Sequence, residues 1–295
     1  MSSIKNKVVI VAGVRTPFLD SGGAYSPLMT YQLGGHAIAG LLKKTGIAPT
    51  EIGMVTMGTV LHEVETSNVA REAMIDAGLP AHIPAFTTSM AGLSASVGFC
   101  NLVDMITLGR IEAGIAAGTE SFSDIPLRLS QKIRRAAMKL RQNSSAGNVL
   151  KFLGSLRPKD LVPVMPTGTD FTTGKVMGVC AEAMVKKFHV RRDDCDSFTV
   201  RSHALAVKAE KEGRFSDVII PVHIPELHTT VTADDTPRAD CTLEKVRGMK
   251  PIFDRKEGAI TAAGSSRFTD GAAALLVTSA SAAKRMGLSP KAVVV

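Results

Sequence analysis

Short apolar runs alternate along the first part of the chain with segments whose apolar residues recur every three or four positions. Residues 8–12 form a continuous apolar run and predict a strand, followed by a loop with Arg15-Thr16-Pro17 and Gly22-Gly23. The spacing predicts a helix over 30–45 that Gly46 stops, a strand at 54–58, a helix near 68–77 stopped by Gly78, and a strand at 85–89. A helix then runs to Leu108 and a strand covers 113–118. Strands and helices in this alternation point to a layered α/β unit with a mixed or parallel sheet. From Glu120 to about Asp254 the pattern gives way to helical and Pro/Gly-containing irregular segments. Residues 271–279 read as a strand again and 281–286 as a helix. A strand that late is expected to return to the first sheet, which makes residues 120–250 a large insertion. Residues 290–295 resemble the start of a further strand cut off in its middle.

The junction between the strand at 85–89 and the following helix is an elbow, Met90-Ala91-Gly92-Leu93-Ser94-Ala95. Such elbows hold a reactive side chain at a helix N-terminus, where unpaired N–H groups and the helix dipole favour a developing anion. The residue at the tip is Gly92, which has no side chain. Residues 91–108 carry a single charge, Asp104, and are apolar nearly all round, the pattern of a buried helix.

Composition narrows the possibilities. At 295 residues, 45% hydrophobic and 21% charged, the chain fits a soluble globular protein of one large or two ordinary domains. It has no Trp and two Tyr, which argues against an aromatic platform for nucleic acid. No apolar run approaches the roughly 18 residues a spanning helix needs. Residues 1–7 lead straight into the first strand without the apolar stretch of a secretory signal, so an intracellular, cytoplasmic location is expected. A mitochondrial one is the alternative if the natural N-terminus lies further upstream. Cys100, Cys180, Cys195 and Cys241 form no Cys-x-x-Cys pair and read as free thiols. His36 and His203 lie in helical patterns and read as packing or surface residues, and no spacing suggests a metal site.

The net charge of +8 has one source. Residues 128–159 contain nine Lys or Arg and no acid, with Ile133, Ala136, Ala137, Met138 and Leu140 interleaved among the basic positions. This is the pattern of a basic amphipathic helix, suited to an anionic membrane surface, to the phosphates of a small cofactor, or simply to solvent. No fold motif supports a nucleic-acid partner.

Several motifs resemble one family. The run Val9–Phe18 is similar to the N-terminal signature of thiolases, as is Gly114–Ser121. Pro126–Arg134 resembles the corresponding segment in the thiolase subunits of fatty-acid trifunctional enzymes. Thr173–Gly178, Arg201-Ser202-His203, Thr261–Ser266 and Asp270–Ala274 match further family motifs in the same order. The resemblance implies an N-terminal βαβαβαββ-type domain with a mixed five-stranded sheet (residues 1–121 and 251–289), a loop domain over 122–250, and at 290–295 the start of a C-terminal domain that the sequence does not contain.

It also implies a chemistry. Thiolases cleave 3-ketoacyl-CoA with a second CoA, or condense in reverse, through a cysteine thiolate that takes the acyl group. A His activates that Cys, and a second Cys moves a proton at the substrate's α-carbon. Matched through Met90–Ala95, the acylated cysteine falls on Gly92. Cys100 lies two helical turns on and cannot substitute. Ser94 and Ser96 have no visible base and suit helix-start packing. The family's Asn-Glu-Ala-Phe, Gly-His-Pro and Cys-x-Gly motifs are absent from this sequence. Thiolysis by this chain alone is therefore not expected.

CoA contacts fall by motif on Arg238, Phe253, Ala262 and Ser266, with Gly264 standing where Asn is common and Lys245 where Ser is common. No covalent cofactor is expected, and acyl-CoA is the implied ligand. The apolar helix behind the elbow implies a covering partner, either a second copy or a polypeptide supplying the C-terminal half. Two classes stay open: an acyltransferase-family chain altered at its nucleophile, and a non-catalytic protein that binds CoA esters or a thiolase.

Overall fold

The computed structural model describes residues 7–166 and 168–295; residues 1–6, where the search for a signal falls, lie outside them. In chain order the elements are β1 (Val8–Arg15), β2 (Leu19–Asp20), α1 (Thr30–Thr45), β3 (Met54–Gly58), α2 (Val69–Asp76), β4 (Ala85–Thr88), α3 (Ser94–Thr107) and β5 (Ala113–Glu120). The middle contains α4 (Gln131–Gln142), α5 (Ala146–Ser155), α6 (Met177–Lys187), α7 (Arg192–Lys211), β6 (Val222–Ile224), β7 (Thr229–Val231) and α8 (Leu243–Arg247). β8 (Thr269–Ser279), α9 (Ala280–Arg285) and β9 (Ala292–Val293) complete the order.

The main sheet runs β4-β3-β5-β8-β1-β9, with β2 paired to β8. β3 lies parallel to β4 and β5, whereas β8 is antiparallel to both β5 and β1. The late strand therefore returns to the centre of the first sheet, and its buried Ala272, Ala274, Leu276 and Val277 explain why a small-residue apolar run belongs there. The five expected strands are all present, and the two-residue strands β2 and β9 extend the mixed sheet to seven. Gly46 ends α1 in the left-handed conformation, φ 64°, a position glycine adopts without steric cost. Asn68 caps α2 by accepting from the Arg71 N–H.

Helices cover both faces of the sheet. On one face α1 and α2 bury Leu33, Ile38, Leu41 and Met74 against Met57, Ile115 and Leu276. On the other, Leu102 and Ile106 of α3 pack with Val8, Ala116 and Val277. The expectation that α3 is buried all round holds for one stripe only: Ser94, Gly98, Leu102 and Ile106, at four-residue spacing, face the sheet. Leu93 (57% exposed) and Leu108 (67%) at its ends face solvent, because the main contacts of α3 are with strands alone. Beside it an apolar groove of about 350 Å³ opens between Ala95, Phe99, Ala116, Ala274 and Leu275.

The middle segment consists of helices joined by irregular stretches, as expected, apart from the β6–β7 hairpin. Val222 and Ile224 of that hairpin join the first core. Arg15 anchors the chain nearby through a two-pronged ion pair with Asp234 at 2.6 and 2.7 Å. Among the described residues no helix is long and apolar enough to cross a membrane.

Candidate functional site

The elbow sits at the C-terminal ends of the parallel strands β3, β4 and β5, the edge where open α/β sheets collect ligands. Close approach of α3 to these strands depends on glycine. A β-carbon at Gly58 would overlap the backbone nitrogen of Ala95, and one at Gly118 would lie 3.0 Å from the Ala95 methyl. The backbone strain of the elbow falls on Ala91, whose φ of 46° is left-handed in a residue that bears a side chain. Gly92 lies outside that region, and a β-carbon there would meet nothing within 4 Å.

Ser94 braces the turn. Its buried hydroxyl accepts from the Met90 N–H at 2.8 Å and donates to the Ala91 carbonyl at 2.7 Å, while the Thr88 hydroxyl donates to the Ser94 carbonyl at 2.7 Å. The helix-start role read from sequence is the one its bonds describe. Ser96 and Cys100 are exposed on α3. Cys195 is half-buried on α7, and burial, with Asp196 nearby, pushes its thiol up, away from the reactive thiolate.

Two carboxylates shape the same end of the sheet. Glu120 accepts from the Val60 N–H (2.7 Å), the Leu61 N–H (3.2 Å) and the Thr59 hydroxyl (3.0 Å), and burial raises its pKa. Asp270, fully buried, accepts from the Phe122 and Ser123 N–H groups at 2.6 and 3.1 Å and from the Ser123 hydroxyl. Glu120 pairs with Gly271 and Gly118 with Ala273, so the loop carrying Ala262 and Ser266 enters β8 at the elbow's end of the sheet.

The four residues matched to CoA contacts lie on loops seated on α6 and α7. The Arg238 N–H donates to His203 Nδ1 at 3.1 Å, and a β-carbon at Gly264 would approach the Thr199 hydroxyl at 2.9 Å. Thr199 and His203 are one turn apart on α7, so the loops of Arg238 and Gly264 lie side by side. Phe253, 37% exposed, rests its ring tip on Gly178 of α6. Ala262 and Ser266 are exposed. The Ser265 hydroxyl donates to the Thr261 carbonyl at 2.8 Å and that of Ser266 to the Arg267 carbonyl at 3.3 Å, so both make local turn bonds.

Sequence reasoning missed the residues that hold these loops. Buried Glu182 of α6 accepts from the Ala259 N–H at 3.1 Å and the Ile260 N–H at 2.8 Å. Its only sequence signal is a lone acid between Ala181 and Ala183. Among the described residues no group of three or more His, Cys, Asp or Glu could hold a metal ion.

Comparison with known proteins agrees with this architecture. The family described as "Thiolase, N-terminal domain" matches residues 8–281. The mitochondrial trifunctional enzyme subunit beta of Macaca fascicularis is 41% identical over 290 residues, which is 98% of this chain and 60% of that protein. A 3-ketoacyl-CoA thiolase of Pectobacterium carotovorum is 36% identical over 285 residues, 97% of this chain and 65% of that one. The crystal structure of the Bacillus anthracis acetyl-CoA acetyltransferase superposes with a TM-score of 0.83 at 30% identity, over 97% of this chain and 68% of that chain. The chain thus spans about 60–65% of the length of these curated relatives. It belongs to the thiolase family, through that family's N-terminal domain.

Proposed function

We propose that this chain is a thiolase-type protein of fatty-acid metabolism that binds CoA esters and does not itself catalyse thiolysis. The observation that carries the reading is Gly92: an uncrowded, unstrained position at the tip of the elbow and the start of α3, where the family chemistry needs a cysteine. Arg238 would meet the nucleotide phosphates, Phe253 the adenine or pantetheine, and Ala262 and Ser266 the pantetheine arm. Residues 1–121 and 251–289 would form the N-terminal thiolase domain and 122–250 the loop domain. The alternative, a non-catalytic partner of another thiolase, is favoured by the exposed outer side of α3 and the adjoining groove. A second copy, or a chain supplying the C-terminal half, would cover both.

The basic segment 128–159 forms the α4–α5 pair, which exposes Arg134, Arg135, Lys139 and Arg141 together with Leu150 and Leu153. Contact with an anionic membrane surface is the role proposed for it. The cytoplasm is the proposed location and the mitochondrion the alternative, the latter being the compartment of the trifunctional-enzyme relative. A thiolysis assay with calorimetric titration of CoA tests the function: binding without turnover is expected, and turnover would overturn the reading. Gel filtration with intact-mass analysis tests the cover over α3, and a monodisperse 31.1 kDa monomer would refute it.

A further inference from the structure

Three successive turns of α6 hold the loop that carries Phe253. Gly178 is the first contact: a β-carbon there would fall among the outer carbons of the Phe253 ring, so the missing side chain is a notch that takes the ring tip. Glycine is a poorer helix former than alanine, and here the seated ring accounts for its presence in the first turn of α6. Glu182, one turn on, lies buried and satisfies the Ala259 and Ile260 N–H groups. Lys186, a further turn along, donates to Asp254 at 2.6 Å, and the loop closes on itself where the Ile252 N–H meets the Ile260 carbonyl at 2.9 Å. The loop is therefore pinned on both sides of Phe253, and the ring tip sits in the Gly178 notch.

We infer that Gly178 is a positioning residue for the coenzyme: its notch sets the angle at which Phe253 presents its exposed face, and Glu182 fixes the loop that continues to Ala262. This rests on the CoA-binding reading above.

A double-mutant cycle on the full chain, with CoA titrated calorimetrically, tests it. Gly178→Ala and Phe253→Ala should each weaken CoA binding by about three- to tenfold, the worth of one aromatic contact. The double variant should bind no more weakly than Phe253→Ala alone, because the notch acts only through the ring. Effects that multiply in the double variant, or an unaltered affinity in Gly178→Ala beside a weakened Phe253→Ala, would overturn the inference. Should Gly178→Ala fail to fold, the double variant must fold, since removing the ring removes the clash; a double variant that also fails overturns it. A wild-type chain that binds no CoA would instead refute the underlying reading, and this inference with it.

Discussion

The three glycines around the elbow make a graded test of its geometry. At Gly92 a β-carbon meets nothing within 4 Å and φ lies outside the left-handed region. Gly92→Ala should therefore stabilise the fold by about 0.4–1 kcal/mol, chiefly by restricting the unfolded chain. At Gly118 the new methyl would sit 3.0 Å from the Ala95 methyl, a contact that α3 must relieve by shifting slightly. At Gly58 it would overlap the backbone of Ser94 and Ala95, which has no flexible end to yield. Gly58→Ala should cost at least the ~1–3 kcal/mol typical of overpacking. With a urea slope of roughly 3 kcal/mol/M, the unfolding midpoint should rise by about 0.1–0.3 M for Gly92→Ala. It should fall by about 0.3–1 M or more for Gly58→Ala, with Gly118→Ala between them. Urea unfolding followed by far-ultraviolet circular dichroism reads all three. A Gly92→Ala midpoint as depressed as that of Gly58→Ala would refute the reasoning, since the elbow tip would then be packed against something.

A cysteine introduced as Gly92→Cys should titrate below the ordinary ~8.5, because the N-terminus of α3 favours the thiolate; the pH dependence of iodoacetamide alkylation measures it, and a value at or above 8.5 would contradict the assignment. The Lys186 hydrogen bond holds the Asp254 carboxyl down at about 2, below its ordinary 3.8. Its stabilisation is therefore complete above pH 3.8 and lost as pH falls toward 2, so the urea midpoints of wild type and Asp254→Asn should converge over that interval. On vesicles containing phosphatidylserine, Arg135→Ala with Lys139→Ala should lower the partition constant, read by co-sedimentation over a lipid titration, by roughly 30-fold at about 1 kcal/mol per residue. Unchanged sedimentation would remove the membrane role from α4–α5.

Much of the scaffold was legible because its signals are local. Gly46 marks the end of α1, and the apolar run of β8 is too small-sided and too late in the chain to belong to the helical insertion. The β6–β7 hairpin escaped because both strands are three residues long, β6 between Pro221 and Pro225, too short to show a period. For α3 the apolar character is plain from the residues, but not that full burial is confined to the Ser94–Ile106 stripe, with Phe99 and Val103 half-buried beside it. The candidate site divides in the same way. The Gly92 elbow is one contiguous motif. The seat of Phe253 joins Gly178 to a ring far along the chain, and Glu182 bonds N–H groups 77 and 78 residues away. No periodicity encodes pairings at that separation. The strain at Ala91 is likewise invisible in sequence, since alanine does not signal positive φ.

The most direct test of the account is a thiolysis assay of the purified chain with acetoacetyl-CoA and free CoA, run beside Gly92→Ala. Neither protein should exceed the protein-free rate. Turnover by the wild-type chain would contradict it, because an acyl-transfer nucleophile would then exist where Gly92 offers none.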